Sequence, residues 1–440
     1  MIKSLSSTDP EIDKILKEEE RRQKETIALI PSENYASTAV RSALGSVLTN
    51  KYSEGYPKKR YYQGNKNADN AEILAIERAK KLFKVAHANV QPYSGSPANL
   101  AIYVALCKVG DTVMGHALPD GGHLTHGWKA SVTGKYYNGV QYHLDKDGYI
   151  DLEEVKKLAR QHKPKVIFIG ATAYSRTLPF AQFAEIAEKA KAYLVADVSH
   201  IAGLIAGGAH PSPSLYVDVI MTTTHKTLRG PRGAMIMVTK KGLRRDKDLA
   251  DKIDSAVFPG LQGGPHDDQT AAIAVALKEA DSDNFKKYAK QIVANAKTLA
   301  KELTNYGFDI VSGGTDNHLM LIDLRNKKIN GALAAYALEK VNIVVNKNSV
   351  PNDTNPPFYP SGIRIGTPAI TTRGMKEDDM KKVAGWINDT IVACGEWGLP
   401  TTKEKRNVFF KAFKDDINKN KELEKIANEV KKTAVKFPLP

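Results

Sequence analysis

Several protein classes are excluded by what this chain lacks. Its 440 residues include only two cysteines, Cys107 and Cys394, too few for a disulfide frame and in keeping with a reducing cytoplasm. No apolar run approaches the roughly 20 residues that cross a bilayer. The start, Met1 to Glu20, is polar and acidic, without the apolar stretch of a secretory signal. These absences predict a cytoplasmic protein with no membrane partner. The chain has no Gly-x-Gly-x-x-Gly turn, which argues against a nicotinamide oxidoreductase. His123 and His126 have the spacing of half a metal site, but no His-Glu-x-x-His and no cysteine cluster accompanies them, so no metal is expected. Internal repeats and low-complexity linkers are absent too.

What is present describes an ordinary interior and an unusual surface. Hydrophobic residues make up 42% of the chain, ample for cores, and the length predicts more than one domain. Basic residues outnumber acidic ones by 64 to 49, a formal charge of +15. The charge is spread out and no aromatic-basic motif interleaves with it, so nucleic acid is not indicated; a basic surface also steers small polyanions. The densest stretch, with Lys405, Arg406, Lys411 and Lys414, reads as a solvated helical face.

Periodicity divides the chain into three. Residues 1–50 read as an N-terminal arm, with an amphipathic helix and its exit over 11–30. From about 70 to 280, apolar strands at 166–170, 193–197 and 217–221 alternate with helical patterns such as Phe180, Phe183, Ile186, Ala187 and Ala190. This alternation predicts an α/β domain over 51–280 with a mostly parallel sheet. A helix at 284–306, then strands at 308–311 and 319–324, predict a smaller α+β domain over 281–440.

The candidate chemistry sits at strand ends. The run Met221 to Gly233 places Lys226 just past an apolar strand and before a Gly230-Pro231 break, where a lysine can be desolvated and made nucleophilic. Asp197 ends another strand 29 residues earlier, with His200 three positions on. A lysine with a neighbouring carboxylate is the pair pyridoxal phosphate requires: an amine for its aldehyde and an acid for its ring nitrogen. In Tyr93 to Asn99, Ser96 reads as an N-cap and Pro97 as a first helical residue, so Ser94, Gly95 and Ser96 would surround a phosphate at a helix start. In the glycine-rich run Asp120 to Gly127, His123 suits a flat ring, whereas His126 reads equally well as a satisfied loop histidine.

Longer motifs carry a resemblance. Leu29 to Tyr35, Thr49 to Pro57, Arg60-Tyr61-Tyr62, Asn89 to Asn99, Thr222 to Gly233, Gln262 to Pro265, Gly313 to His318, Val345 to Asn348 and Ser361 to Ala369 together resemble serine hydroxymethyltransferases over nearly the whole length. The resemblance implies a fold type I pyridoxal phosphate transferase that is a homodimer with shared active sites. It also implies transfer of the hydroxymethyl carbon of serine to tetrahydrofolate as co-substrate, by way of an aldimine and a quinonoid, with slow aldol cleavage of 3-hydroxy amino acids when folate is absent. Catalytic roles are implied for Lys226, Glu54, His123 and Tyr62. Cofactor contacts are implied for Ser94, Gly95, Ser96, Thr172, Asp197, His200 and His225, and for Gly263 and Gly264 of a neighbouring subunit. Ser32, Tyr52, Glu54 and Arg364 would bind the amino acid, with Arg364 clamping its carboxylate; Leu118, Gly122, Leu124, Asn348 and Phe358 would bind folate.

Three positions depart from that pattern. Pro31 stands where alanine is usual, Gln63 where glycine is, and Thr172 where serine is common. The first two leave a 2-methylserine hydroxymethyltransferase or a threonine aldolase type of activity as the alternative. A pyridoxal aminotransferase would share Lys226 and Asp197 but has no use for the Tyr52 to Pro57 segment.

Overall fold

The computed structural model describes residues 4–400 and 403–440; Met1 to Lys3 of the expected arm lie outside the described residues. Helix α1 (Pro10–Glu25) begins where the Asp9 carboxylate accepts from the Ile12 amide, with Pro10 in the first turn. None of its residues is buried, and Ile12, Ile15 and Leu16 form an exposed apolar stripe at helical spacing. The chain then enters strand β1 (Ile27–Ala28) and, further on, a short hairpin of β2 (Gly55–Tyr56) and β3 (Lys59–Arg60).

Seven strands follow: β4 (His87–Asn89), β5 (Thr112–His116), β6 (Asn138–Tyr142), β7 (Val166–Ile169), β8 (Tyr193–Asp197), β9 (Val219–Thr223) and β10 (Ala234–Val238). They form one sheet in the order β4-β10-β9-β8-β7-β5-β6. Pairings from β6 through β9 are parallel, and β10 runs antiparallel to both β9 and β4. Strand β7 shows why its sequence is apolar without alternation. Ile167 and Ile169 enter the core that contains Phe83 of α2 (Lys66–Phe83), whereas Val166 and Phe168 enter the core that contains Ile102 of α3 (Gly95–Leu106). Side chains alternate between faces, and here both faces are covered.

Helix α4 (Leu152–His162) and α5 (Phe180–Ala190) pack on the first of these faces. Helices α6 (Asp267–Ala280) and α7 (Asp283–Asn305) then lead to the second sheet, β11 (Asp309–Ile310), β12 (Leu319–Asp323), β14 (Asn346–Asn348) and β15 (Gly362–Gly366), ordered β11-β12-β15-β14 and antiparallel throughout. Helices α8 (Gly331–Lys340), α9 (Glu377–Cys394) and α10 (Lys421–Ala434) cover it. One segment of the arm belongs to this core: β1 pairs in parallel with β13 (Ile343–Val344), and Ile27 and Leu29 pack among Met320, Ile322, Ile363 and Ile365. Buried Arg373 secures the junction by donating to the carbonyls of Thr26 (2.7 Å), Lys24 (2.9 Å) and Phe437 (2.7 Å).

Strand ends move by a residue or two from the sequence reading, and one start differs in kind. Helix α3 begins at Gly95 with Ser94 as its N-cap, in place of Ser96 and Pro97. Ser94 is extended and makes no side-chain cap bond, so its hydroxyl stays available. Among the described residues, no helix is long and apolar enough to cross a membrane.

Candidate active site

The carboxyl ends of the parallel strands converge, as the doubly wound arrangement requires. Asp197 closes β8, Lys226 follows β9, Thr172 follows β7, and the loop carrying His123 and His126 follows β5. One cavity is lined by Gly95, His123, Thr172, Asp197, His200 and Lys226, drawn from five separate stretches of the chain. A larger cavity of about 750 Å³ lies elsewhere, between α4 and α5, with Lys156, Arg160 and Lys189 on its walls. It shares no residue with the Lys226 cavity.

Asp197 is buried and heavily engaged. Its Oδ2 accepts from Asn99 Nδ2 (2.9 Å) and faces His126 Nε2 (3.1 Å), while Oδ1 accepts from the Ser199 hydroxyl (2.6 Å) and amide (3.1 Å). Burial alone would raise this carboxyl, but the His126 bond and charge, followed by His123 and Ser199, outweigh it and hold Asp197 below the ordinary carboxylate range. Asp197 therefore stays an anion in a pocket that excludes water. His126, readable from sequence as a mere loop histidine, is one of its principal partners; Asn99 and Ser199 had no assigned role. The Asp-x-Ser spacing of an Asx turn is a signal for Ser199, whereas Asn99 lies 98 residues away and carries none.

Half-buried Lys226 donates to Thr223 Oγ1 at 3.1 Å. Burial, opposed by Asp197 and reinforced by Arg364 and Arg232, pushes its amine down to about 8. Burial and then the His126 charge push His123 down to about 4, so its ring is neutral; its Nδ1 lies 2.7 Å from Thr125 Oγ1. His225, beside the lysine, is pushed to about 3 by burial and by Lys226.

The opposite wall is set by close approaches. A Cβ on Gly95 would lie 2.7 Å from the Thr223 methyl, and one on Gly122 would lie 1.9 Å from the His116 carbonyl oxygen. Only glycine fits at Gly122, and this fixes the loop that bears half-buried Leu118 and exposed Leu124. The Thr172 hydroxyl donates to the carbonyls of Gly121 (3.1 Å) and Gly122 (3.0 Å), tying that loop to β7.

Arg364 comes from the second sheet. It sits in β15, flanked by β12 and β14, so it is a buried central-strand residue and not an edge one. Its Nε donates to Asn346 Oδ1 (3.2 Å) and its Nη1 to the Thr172 carbonyl, which joins the two sheets at the cavity. Burial pushes it down to about 10. Asn348 lies two residues from Asn346 on β14, and Phe358 is exposed, its carbonyl held by Lys347 at 2.7 Å. Ser32 lines a different cavity, with His225 and Arg232.

The remaining predicted residues form a second cluster. Glu54 and Tyr52 lie against Gly263 and Gly264: a Cβ on Gly263 would be 3.4 Å from Glu54 Oε1, and one on Gly264 would be 2.9 Å from the Tyr52 ring. The Tyr62 hydroxyl accepts from the Glu54 amide at 2.8 Å. Arg60 anchors the segment from beneath, donating to Asp69 (2.8 Å), to buried Glu72 (2.6 Å) and to the Ser53 and Gly55 carbonyls (2.7 Å each). None of these residues lines the Lys226 cavity, and Tyr52 is 61% exposed.

Tertiary folding also assembles a set of potential metal ligands. One ligand atom each of His123, His126 and Asp197 lie within 4.8 Å of one another. Each has a hydrogen-bond partner already, and a buried carboxylate held by Asn99, Ser199 and His126 at the edge of the cavity suits a protonated ring nitrogen equally well. The residues fit pyridoxal phosphate on the structure's own terms: a lowered lysine amine, a permanent carboxylate, a neutral ring to cover a flat group, and a glycine-opened helix start beside a free serine hydroxyl.

These features define a fold type I pyridoxal phosphate enzyme. Comparison with known proteins narrows the class. A family profile described as serine hydroxymethyltransferase matches residues 5–387. The chain is 55% identical over 440 residues to the serine hydroxymethyltransferase of Acidothermus cellulolyticus, covering 99% of this chain and 97% of that protein. It is 52% identical over 437 residues to that of Desulfotalea psychrophila, covering 99% and 96%, and 55% identical over 389 residues to that of Sorangium cellulosum, covering 88% and 90%. The chain belongs to the serine hydroxymethyltransferase family.

Proposed function

We propose that this chain catalyses the reversible transfer of the hydroxymethyl carbon of serine to tetrahydrofolate, giving glycine and methylenetetrahydrofolate. The observation that carries the reading is the pairing of a lowered Lys226 amine with a charged Asp197 in one cavity, beside which Arg364 is held on the Thr172 carbonyl. Bound pyridoxal phosphate supplies an electron sink for the carbanion left at Cα. Lys226 would hold the cofactor by its aldehyde, and burial keeps a useful fraction of its amine neutral near pH 8. Asp197 holds the proton on the ring nitrogen, backed by His126, Asn99 and Ser199. His123 would cover the ring face without adding charge, Ser94 and Gly95 would bind the phosphate at the start of α3, Thr172 and His200 shape the surrounding wall, and His225 lies behind Lys226 on the neighbouring cavity. Arg364 orients the amino acid by its carboxylate in a bidentate fork, with Ser32 assisting.

Glu54 moves the proton at the serine hydroxyl and the folate nitrogens, with Tyr62 and Tyr52 beside it. Exposed Leu124 and Phe358, with half-buried Leu118 and Asn348, would contact folate, and buried Gly122 holds the loop that carries the two leucines. Because Glu54, Gly263 and Gly264 gather away from the Lys226 cavity, we assign them to the active site of a second copy. The exposed Ile12, Ile15 and Leu16 stripe supplies apolar surface for that homodimer. Residual folate-independent cleavage of 3-hydroxy amino acids follows from the same cavity.

The test is serine cleavage by the purified enzyme with and without tetrahydrofolate, with 2-methylserine and allo-threonine in parallel. Serine turnover should rise at least tenfold with folate. A serine rate indifferent to folate, or faster turnover of 2-methylserine, would replace this reading. Pro31 would then be the first residue to examine, since it packs against Gly366 at the end of the Arg364 strand.

A further inference from the structure

The motif Gly313 to His318 has no part in the reaction so far. Most of it fastens the second sheet to the first: Asp316 pairs with Arg176 at 3.0 Å, its amide donates to the Ser175 carbonyl at 2.8 Å, and Asn317 donates to the Tyr174 carbonyl at 3.0 Å. His318, its last residue, goes further. It is fully buried, and its Nε2 lies 3.3 Å from Nδ1 of His200, itself buried and on the wall of the Lys226 cavity. The two rings are nearly parallel, with 24° between their planes.

We propose that His318 is a positioning residue that fixes His200 in the tautomer carrying its proton on Nε2. The proposal rests on the pyridoxal phosphate reading of the cavity, since that proton would give the cofactor's anionic ring oxygen a donor. Burial, reinforced by the Arg364 and Lys226 charges, keeps both rings neutral, so a single proton lies between them and the tautomer of one ring dictates that of the other. If His200 donated from Nδ1, His318 would have to carry its proton on Nδ1, a buried atom without a partner among the described residues. A buried donor without an acceptor is the rarer and costlier arrangement. His200 would then also turn a bare lone pair toward an anionic ring oxygen. With His318 donating from Nε2, its Nδ1 is only an unused acceptor, and Nε2–H of His200 is left for the cavity. The second sheet thus reaches the cofactor wall through His318 as well as through Arg364.

The experiment compares His318→Gln, which keeps an N–H donor near the Nε2 position, with His318→Phe, which fills the space without one. Each is made in the wild-type and His200→Ala backgrounds, and pyridoxal phosphate affinity is measured by fluorescence quenching of the cofactor-free protein. His318→Phe should weaken the cofactor about 10-fold or more, His318→Gln should restore most of that affinity, and in the His200→Ala background the two should be indistinguishable. Nitrogen-15 histidine NMR of the cofactor-free chain should show His200 protonated at Nε2. The opposite tautomer, or an equal loss for His318→Phe with and without His200, would overturn the proposal. Failure of the wild-type chain to take up pyridoxal phosphate would instead overturn the reading of the cavity, and the NMR result would still decide the tautomer.

Discussion

The Lys226 cavity and the Tyr52 to Tyr62 segment are both built from motifs of similar length, yet they are finished to different degrees. In and beside the cavity, the charged groups have partners from the same chain: Asp197 has His126, Asn99 and Ser199, Lys226 has Thr223, and Arg364 has Asn346 and Thr172. In the segment, only the underside is satisfied. Arg60 draws Asp69, Glu72 and two carbonyls around itself, while Tyr52 and Tyr61 are 61% and 71% exposed. On the function proposed above, the part buried within one chain is the part that would hold the cofactor. An anchored but open surface marks the part that is completed by something else.

The strongest way to break that comparison is to disable each region separately. Lys226→Ala and Glu54→Gln should each lower kcat on the order of 10³-fold or more. If the open segment serves a second copy, mixing the two inactive proteins under subunit exchange should restore up to about a quarter of wild-type sites by random assortment. Verified heterodimers without any regain would put both regions in one chain's site and end the contrast.

A smaller effect tests whether the underside of the segment is structural. Arg60→Ala leaves buried Glu72 with Gln91 but without its charged partner and should destabilise the chain by about 3–5 kcal/mol in urea unfolding. A loss under 1 kcal/mol would mean that Arg60 is not the anchor.

The finest test concerns charge in the cavity. The Lys226 amine lies at about 8 in the folded chain against 10.5 ordinarily, so the unfolded chain binds more protons between those values. The cofactor-free protein should therefore gain stability as pH rises from about 8 to 10.5, by no more than about 3 kcal/mol. Lys226→Met should be the more stable form at pH 7, and its advantage should shrink across that window. An advantage independent of pH would show that the amine is not desolvated.

Much of this was legible in sequence because it depends on local periodicity. Strand β8 and helix α5 follow from apolar spacing alone, and Lys226 and Asp197 are visible because each lies at or just beyond the end of such a run. The start of α3 at Gly95 was less visible, since Ser96-Pro97 is the stronger local cap signal and only contact with β9 favours the earlier start. His126 was legible only as an even choice between site and loop, and Asn99 and His318 carried no role of their own within their motifs. Each acts on a group between 71 and 118 residues away in the chain, and nothing in its own neighbourhood announces that partner.

The sequence by itself determined the alternation that makes a doubly wound sheet, the strand ends that carry a lysine and a carboxylate, and the glycines without which their loop could not pass so close to β5. Tertiary structure alone decided which residues share a cavity. It left Glu54 outside the Lys226 cavity and set Arg364 of the second sheet against Thr172 on the cavity wall. It also lowered the Lys226 amine while keeping Asp197 charged. The physical reason is that pattern follows from neighbours along the chain, whereas desolvation and charge depend on whatever folding packs around a group, and those partners come from everywhere in the sequence.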